Sequence, residues 1–309
     1  CVSRLCIHGI IHSIKNKGFE MTMWEERIRI EPPYDFDRVL DRLSMDPLHH
    51  VRLEEREVSI PLRNQNNDPF VVTVKGMGTK TAPEFLLSGK SDKDFAIKET
   101  MRIFQWDVSL VDVQTHFRSS NIAEIFEAHD GTPIVLEFSL YGCLMKCIIH
   151  QQLNLKFAHT LTERFVHTFG EKIDGVWFYP APEKVAQLDY SDLRELQFSG
   201  RKAEYVIDTS KLIAEGKINL EELQNMEDAA ILKELVKIRG VGPWTVQNLL
   251  LFGLGRPNLF PFADIGIQNA LKKHFQLERK PTFEEMEILS KEWSPYLSYA
   301  SLYLWRSIE

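Results

Sequence analysis

Residues 231–275 read ILKELVKIRGVGPWTVQNLLLFGLGRPNLFPFADIGIQNALKKHF, and the punctuation of this stretch decides the fold. Leu232, Leu235, Val236 and Ile238 predict an apolar face on a first helix. Gly240-Val241-Gly242-Pro243 stops it, because glycine tolerates the positive φ that a tight turn between helices requires. Pro243 suits the first turn of a second helix, whose Val246, Leu249, Leu250 and Leu251 should point inward. A short loop then delivers Asp264 to the mouth of a third helix carrying Ile265, Leu271 and Phe275. The expectation is a helix–hairpin–helix followed by an acid at a helix N-terminus.

Such a hairpin can bind a polyanion. Gly240 and Gly242 lack the Cβ atoms that would hold a phosphate away from the main chain, and the free N–H groups at the start of the next helix face it. Gly240, Val241 and Gly242 are therefore the candidate phosphate contacts, positioning a duplex without reading its sequence. An ordinary tight connection between two core helices is the other reading. Asp264 favours the first. It suits an N-cap, and the helix dipole makes a negative charge favourable there. Beside a DNA-facing hairpin, an anion can stabilise the positive charge that develops on deoxyribose as a purine leaves, or orient an attacking water. Cap and catalyst are compatible roles.

These residues resemble the helix–hairpin–helix DNA glycosylase superfamily: LVKIRGVGPWT, then PFADIGIQ at the usual interval, then the C-terminal run 293–305, WSPYLSYASLYLW. The last resembles the closing helix of the 3-methyladenine DNA glycosylase II branch. The resemblance is good from about residue 133 onward and weaker before it. It implies that Asp264 is catalytic, that Trp244 and Trp305 line the pocket for an extruded base, and that stacking favours electron-poor alkylated purines. Core packing is the competing role for both tryptophans. Bifunctional members place a Schiff-base lysine where Trp244 stands, so a monofunctional hydrolase leaving an abasic site is expected. The resemblance further implies a wedge that fills the gap left by the base, for which Gln152 and Leu153 are candidates, a polar turn being the alternative. It needs no organic cofactor, but the hairpin carbonyls of Val236, Ile238 and Val241 would hold a monovalent cation bridging to phosphate. Two rivals stay open: a glycosylase for another purine lesion such as 8-oxoguanine, and a non-catalytic damage sensor.

The chain has 309 residues, 44% hydrophobic and 26% charged, enough for two cores in an ordinary globular protein. Its net charge of −7 counts against a general nucleic-acid binder, so contact with double-stranded DNA should be local, through main-chain amides and residues such as Lys237, Arg239 and Lys272. Four cysteines make no disulfide framework at this length, which fits a reducing cytoplasm. Cys143 and Cys147, with His150 near, read as buried thiols before they read as a metal site. The four clustered cysteines of the superfamily's iron–sulfur branch are absent. No stretch reads as a membrane span, and a monomer is expected.

Residues 1–20 are expected to be a non-native or disordered leader outside the folded unit. An α+β module with an antiparallel sheet is expected over 21–117. Its strands are predicted over 26–30, 51–62 and 70–74, with a further one over 95–103; its helix is predicted over 35–43. His49 and His50 read as surface residues. Helical spacing throughout 118–309 predicts an all-helical unit with a central buried helix over 134–149, and the resemblance implies that this unit is the helix–hairpin–helix glycosylase domain. The fold class is α+β.

Overall fold

A computed structural model describes residues 8–10, 23–64, 66–90 and 92–308. Six strands form one antiparallel sheet: β1 His8–Ile10, β2 Trp24–Arg29, β3 His50–Arg52, β4 Glu57–Arg63, β5 Pro69–Gly76 and β6 Glu84–Gly89. Their order across the sheet is β1-β2-β6-β5-β4-β3. Alternation fixes the register, since a one-residue slip would turn every buried side chain outward. Trp24 and Ile28 of β2, Phe70, Val72 and Val74 of β5, and Phe85 and Leu87 of β6 share the buried face. The leader was expected to stand apart from the folded unit; its described part, His8–Ile10, pairs with β2. The rest of residues 1–20 lies outside the described residues.

Two expectations for this module are corrected. Residues 95–103 are not a strand but part of the Lys93–Phe104 helix. Asp92 caps it by accepting the Phe95 N–H at 3.1 Å, and Ala96, Thr100, Ile103 and Phe104 recur at helical spacing on its buried face. The strand missed is β6, whose alternation is short and glycine-ended. The run over 51–62 is two strands, because Leu53 to Arg56 turn between β3 and β4 and Arg56 takes a φ of 51°.

Beyond Leu110 the described residues are mostly helical, and the sequence reading missed a small hairpin there, Glu171–Ile173/Val176–Phe178. The central helix runs over Leu140–His150 and not from residue 134. Ser139 caps it by accepting the Gly142 N–H, and the preceding apolar residues are extended, with Leu136 and Glu137 donating to the carbonyls of Ile103 and Phe252. The fold is thus α+β, a sheet module followed by helices.

Burial divides into two clusters that do not follow chain order. One holds the sheet, residues 103–136 and the C-terminal helices Ile265–His274 and Leu297–Arg306. The other holds the central helix, Leu155–Phe169, Gly200–Ala214 and the hairpin. The third helix of the opening stretch therefore packs in a different cluster from the first two. The cleft between them carries the site.

Candidate active site

The first hairpin helix, Asp228–Leu235, buries Ile231 and Leu235. Leu232 and Val236, expected on its apolar face, are instead exposed: the buried stripe is Ile231 and Leu235, one turn apart, which leaves Leu232 beside it, and Val236 lies past the end of the helix. Gly240 has a φ of +91°, and a Cβ there would lie 2.2 Å from the Tyr205 ring. Gly242 differs: its backbone is one any residue adopts, and a Cβ would meet nothing within 4 Å. Nothing inside the protein requires glycine there; the open space lies on the outer side of the turn, where a phosphate would approach.

A groove of about 990 Å³ runs past this hairpin, lined by Gln151, Gln152, Arg201, Lys202, Arg239 and Gly242 among others. Lys237 and Arg239 border it but are ion-paired, Lys237 with Glu234 at 2.8 Å and Arg239 with Glu204 at 2.5 Å. Lys272 does not line it. Arg201, exposed, has no charge partner among the described residues. The sequence reading also passed over Gln151, whose Nε2 donates to the Gly240 carbonyl and to Thr245 Oγ1, both at 2.8 Å. It ties the turn after the central helix to the hairpin. Lys202 Nζ donates to the carbonyls of Ile148 and Gln151 at 3.1 and 3.0 Å, and burial brings its pKa down to about 8. At that turn Gln152 is exposed with a left-handed φ of 55°, a conformation non-glycine residues adopt at some cost. Leu153 packs against the second cluster.

Asp264 does cap its helix: Oδ1 accepts the Ile267 N–H at 2.9 Å. The same oxygen accepts the Trp305 indole N–H at 2.9 Å. Oδ2 has no partner among the described residues. Gly266 makes the pairing possible, since a Cβ there would sit 3.0 Å from both Oδ1 and Trp305 Cδ1. Trp305 stacks on Phe252 with ring centroids 5.9 Å apart, so its ring is packed while its indole N–H is held on Asp264. Trp244, 40% exposed, faces them from the hairpin helix and makes no aromatic contact among the described residues.

The loop that delivers Asp264 is pinned by the C-terminal helix. Ser298 Oγ donates to the Arg256 carbonyl at 2.6 Å and accepts the Leu259 N–H at 3.0 Å, and Ser301 Oγ donates to the Leu259 carbonyl at 3.2 Å. The Ser-Tyr-Ala-Ser run is therefore a clamp on the loop that carries Asp264, a role the sequence reading missed although the i, i+3 spacing of the two serines could have suggested it. Trp244, Gln247 and Asn248 form one wall of a narrow cleft, and Pro261, Asp264 and Trp305 line the other side. Its volume of about 10 Å³ admits roughly one water. A base enters only if a wall moves, and Trp244 is the exposed one.

The three carbonyls considered for a cation, those of Val236, Ile238 and Val241, are neutral hard oxygens, a donor set suited to a monovalent cation. Ile238 O already accepts the Val241 N–H at 3.0 Å, which leaves it one lone pair. Cys143 is buried on the central helix, and His150 bonds Thr162 Oγ1 at 3.0 Å; burial lowers its pKa to about 4. His49 is not a surface residue. Its Nδ1 lies 3.0 Å from the Leu43 carbonyl, and its ring packs on Phe138 beside a buried cluster of Asp46, Glu137 and Lys146. The residues after Asp46 fold back over the central helix, which single-strand alternation could not reveal.

A hairpin with a glycine-open phosphate face, an acid capping the next helix and an aromatic cleft between them define a base-excision glycosylase architecture. The family model for HhH-GPD superfamily base excision DNA repair proteins matches residues 145–295. YfjP of Bacillus subtilis (strain 168), provisionally named a DNA-3-methyladenine glycosylase, is 63% identical over 287 residues, covering 93% of this chain and 100% of that protein. The chain belongs to the HhH-GPD superfamily. Among solved structures, a 3-methyladenine DNA-glycosylase from Archaeoglobus fulgidus superposes with a TM-score of 0.80 at 19% identity, covering 91% of this chain and 97% of that one. The Schizosaccharomyces pombe 3-methyladenine DNA glycosylase Mag1, in complex with abasic DNA, gives 0.55 at 26% identity over 63% of this chain and 96% of that one. Among the described residues, no helix is long and apolar enough to cross a membrane.

Proposed function

We propose that this protein is a monofunctional DNA glycosylase that extrudes alkylated purines from duplex DNA and hydrolyses the N-glycosidic bond. The observation that carries the reading is the Asp264 carboxylate, fixed through Oδ1 by Ile267 and Trp305 with Oδ2 open on a cleft beside the hairpin. The names of the relatives support the alkylated-base class.

The hairpin amides around Gly242 and the basic rim hold the backbone of the lesion strand. Gln152, strained and exposed at the turn, fills the gap as the wedge, and Leu153 supports it from below. The base displaces Trp244 and stacks between it and Trp305, where a cationic purine gains most. As the C1′–N bond breaks, its electron pair leaves with the purine and positive charge grows on the sugar, stabilised by Asp264. Water bonds to C1′ and passes its proton to Asp264 or solvent. With Trp244 where an amine would be needed, no Schiff base forms and the product is an abasic site. No organic cofactor takes part. A monovalent cation held by the Val236, Ile238 and Val241 carbonyls would add a positive charge toward the phosphate. The enzyme acts as a monomer in the cytoplasm, on the nucleoid if the cell is bacterial.

Duplexes carrying a single 7-methylguanine test this reading. Released base should accumulate with the strand intact until alkali or heat opens the abasic site. Strand breaks forming without that treatment would contradict it, as would tight duplex binding with no base release, the outcome a damage sensor gives.

A further inference from the structure

We infer that Gln247 and Asn248 are the specificity-determining pair of the base cleft, reading the hydrogen-bonding edge of an extruded purine and setting how well an uncharged lesion is released relative to a cationic one. The inference rests on the glycosylase reading above. It comes from the one polar wall of a site otherwise built from indole rings, aliphatic side chains and a carboxylate.

Both amides line the cleft on the same helix as Trp244, opposite Asp264. Asn248 has a fixed orientation. Its side chain bonds the Trp244 carbonyl at 2.8 Å, and since a carbonyl only accepts, the bonding atom is Nδ2 and Oδ1 is the atom left to receive a donor. Gln247 is half-buried and has no hydrogen-bond partner among the described residues, so it can both donate and accept. A fixed acceptor beside an adaptable donor–acceptor matches the edge of a purine that carries an N–H and a carbonyl or ring nitrogen side by side.

The chemistry separates two substrate classes. A 7-alkylated purine is cationic and leaves as a neutral base, so stacking and the Asp264 charge supply most of what it needs. An uncharged purine such as hypoxanthine leaves with negative charge developing on its own atoms. A donor placed on those atoms lowers that barrier, and the Gln247 amide can provide one. A site that bonds a polar edge also discriminates strongly once the partner is removed.

The test uses the full chain, single-lesion duplexes with hypoxanthine or 7-methylguanine, and single-turnover base release by wild type, Gln247→Leu and Asn248→Ala. The readout is the ratio of the two release rates, with melting temperature and binding to an abasic-analogue duplex reporting on folding. The expected result is a hypoxanthine-to-7-methylguanine ratio lowered about 10- to 100-fold by Gln247→Leu and about 3- to 10-fold by Asn248→Ala. Ratios equal to wild type in both variants would overturn the inference. So would a wild type that releases 7-methylguanine and leaves hypoxanthine, an outcome under which the glycosylase reading itself stands. Release of neither base by wild type removes both.

Discussion

Asp264 and Trp305 stand 41 residues apart and meet through one hydrogen bond of 2.9 Å. A bond to a charged acceptor contributes about 1.5–3 kcal/mol. Trp305→Phe keeps the stacking ring and removes the donor, so base release should slow about 10-fold or more in single-turnover assays; an unchanged rate would show that Ile267 alone positions the carboxylate. Lys202 offers a pH test. Its pKa of about 8 means that the ammonium is lost as pH rises through that value, taking with it a charge on the groove and weakening the bond to the Gln151 carbonyl. Duplex affinity should fall between about pH 7 and 9. Lys202→Met should bind more weakly at the lower pH and vary less across the range, and an equally steep profile in that variant would assign the titration elsewhere.

The hairpin was legible because glycine, proline and an N-cap acid are local signals: each residue states its backbone requirement by itself. Gly240 and Gly242 look alike in sequence, yet the structure separates them. Gly240→Ala should cost at least about 2 kcal/mol in denaturant unfolding, since it meets both a positive φ and the Tyr205 ring. Gly242→Ala should leave stability within about 0.5 kcal/mol and weaken duplex binding, and unaltered binding would remove the close main-chain approach from the account. What the sequence hid was set by distant partners. The helix Lys93–Phe104 looked like a strand because Phe95, Ala96 and Ile97 are adjacent apolar residues, and only the sheet beneath them decides which face is buried. Gln151 gave no hint of its role, because its partners, Gly240 and Thr245, lie 89 and 94 residues away.

Across the whole molecule, Asp46 and His49 of the sheet module meet Glu137 and Lys146 at the central helix. Lys146 Nζ bonds Asp46 Oδ2 and Glu137 Oε1, both at 2.7 Å. Burial alone would push the Asp46 carboxyl up, but Lys146 and His49 outweigh it and hold it well below the usual carboxylate range. A lowered acid pKa gives stability that is present at neutral pH and lost as pH falls below about 4. Lys146→Met strands two buried carboxylates and should cost about 3–5 kcal/mol, read by urea unfolding; a loss under about 1 kcal/mol would mean the cluster is wet and weak. The net charge of −7 confines DNA affinity to the groove, where Arg201, Lys202, Lys237 and Arg239 lie. A log–log salt slope no steeper than about −4 is therefore expected.

The catalytic claim turns on a single charge, and Asp264→Asn removes it while keeping an oxygen to accept the Ile267 and Trp305 N–H groups. Single-turnover release of 7-methylguanine should fall at least about 100-fold, with the melting temperature nearly unchanged. Release at the wild-type rate by that variant would contradict the account.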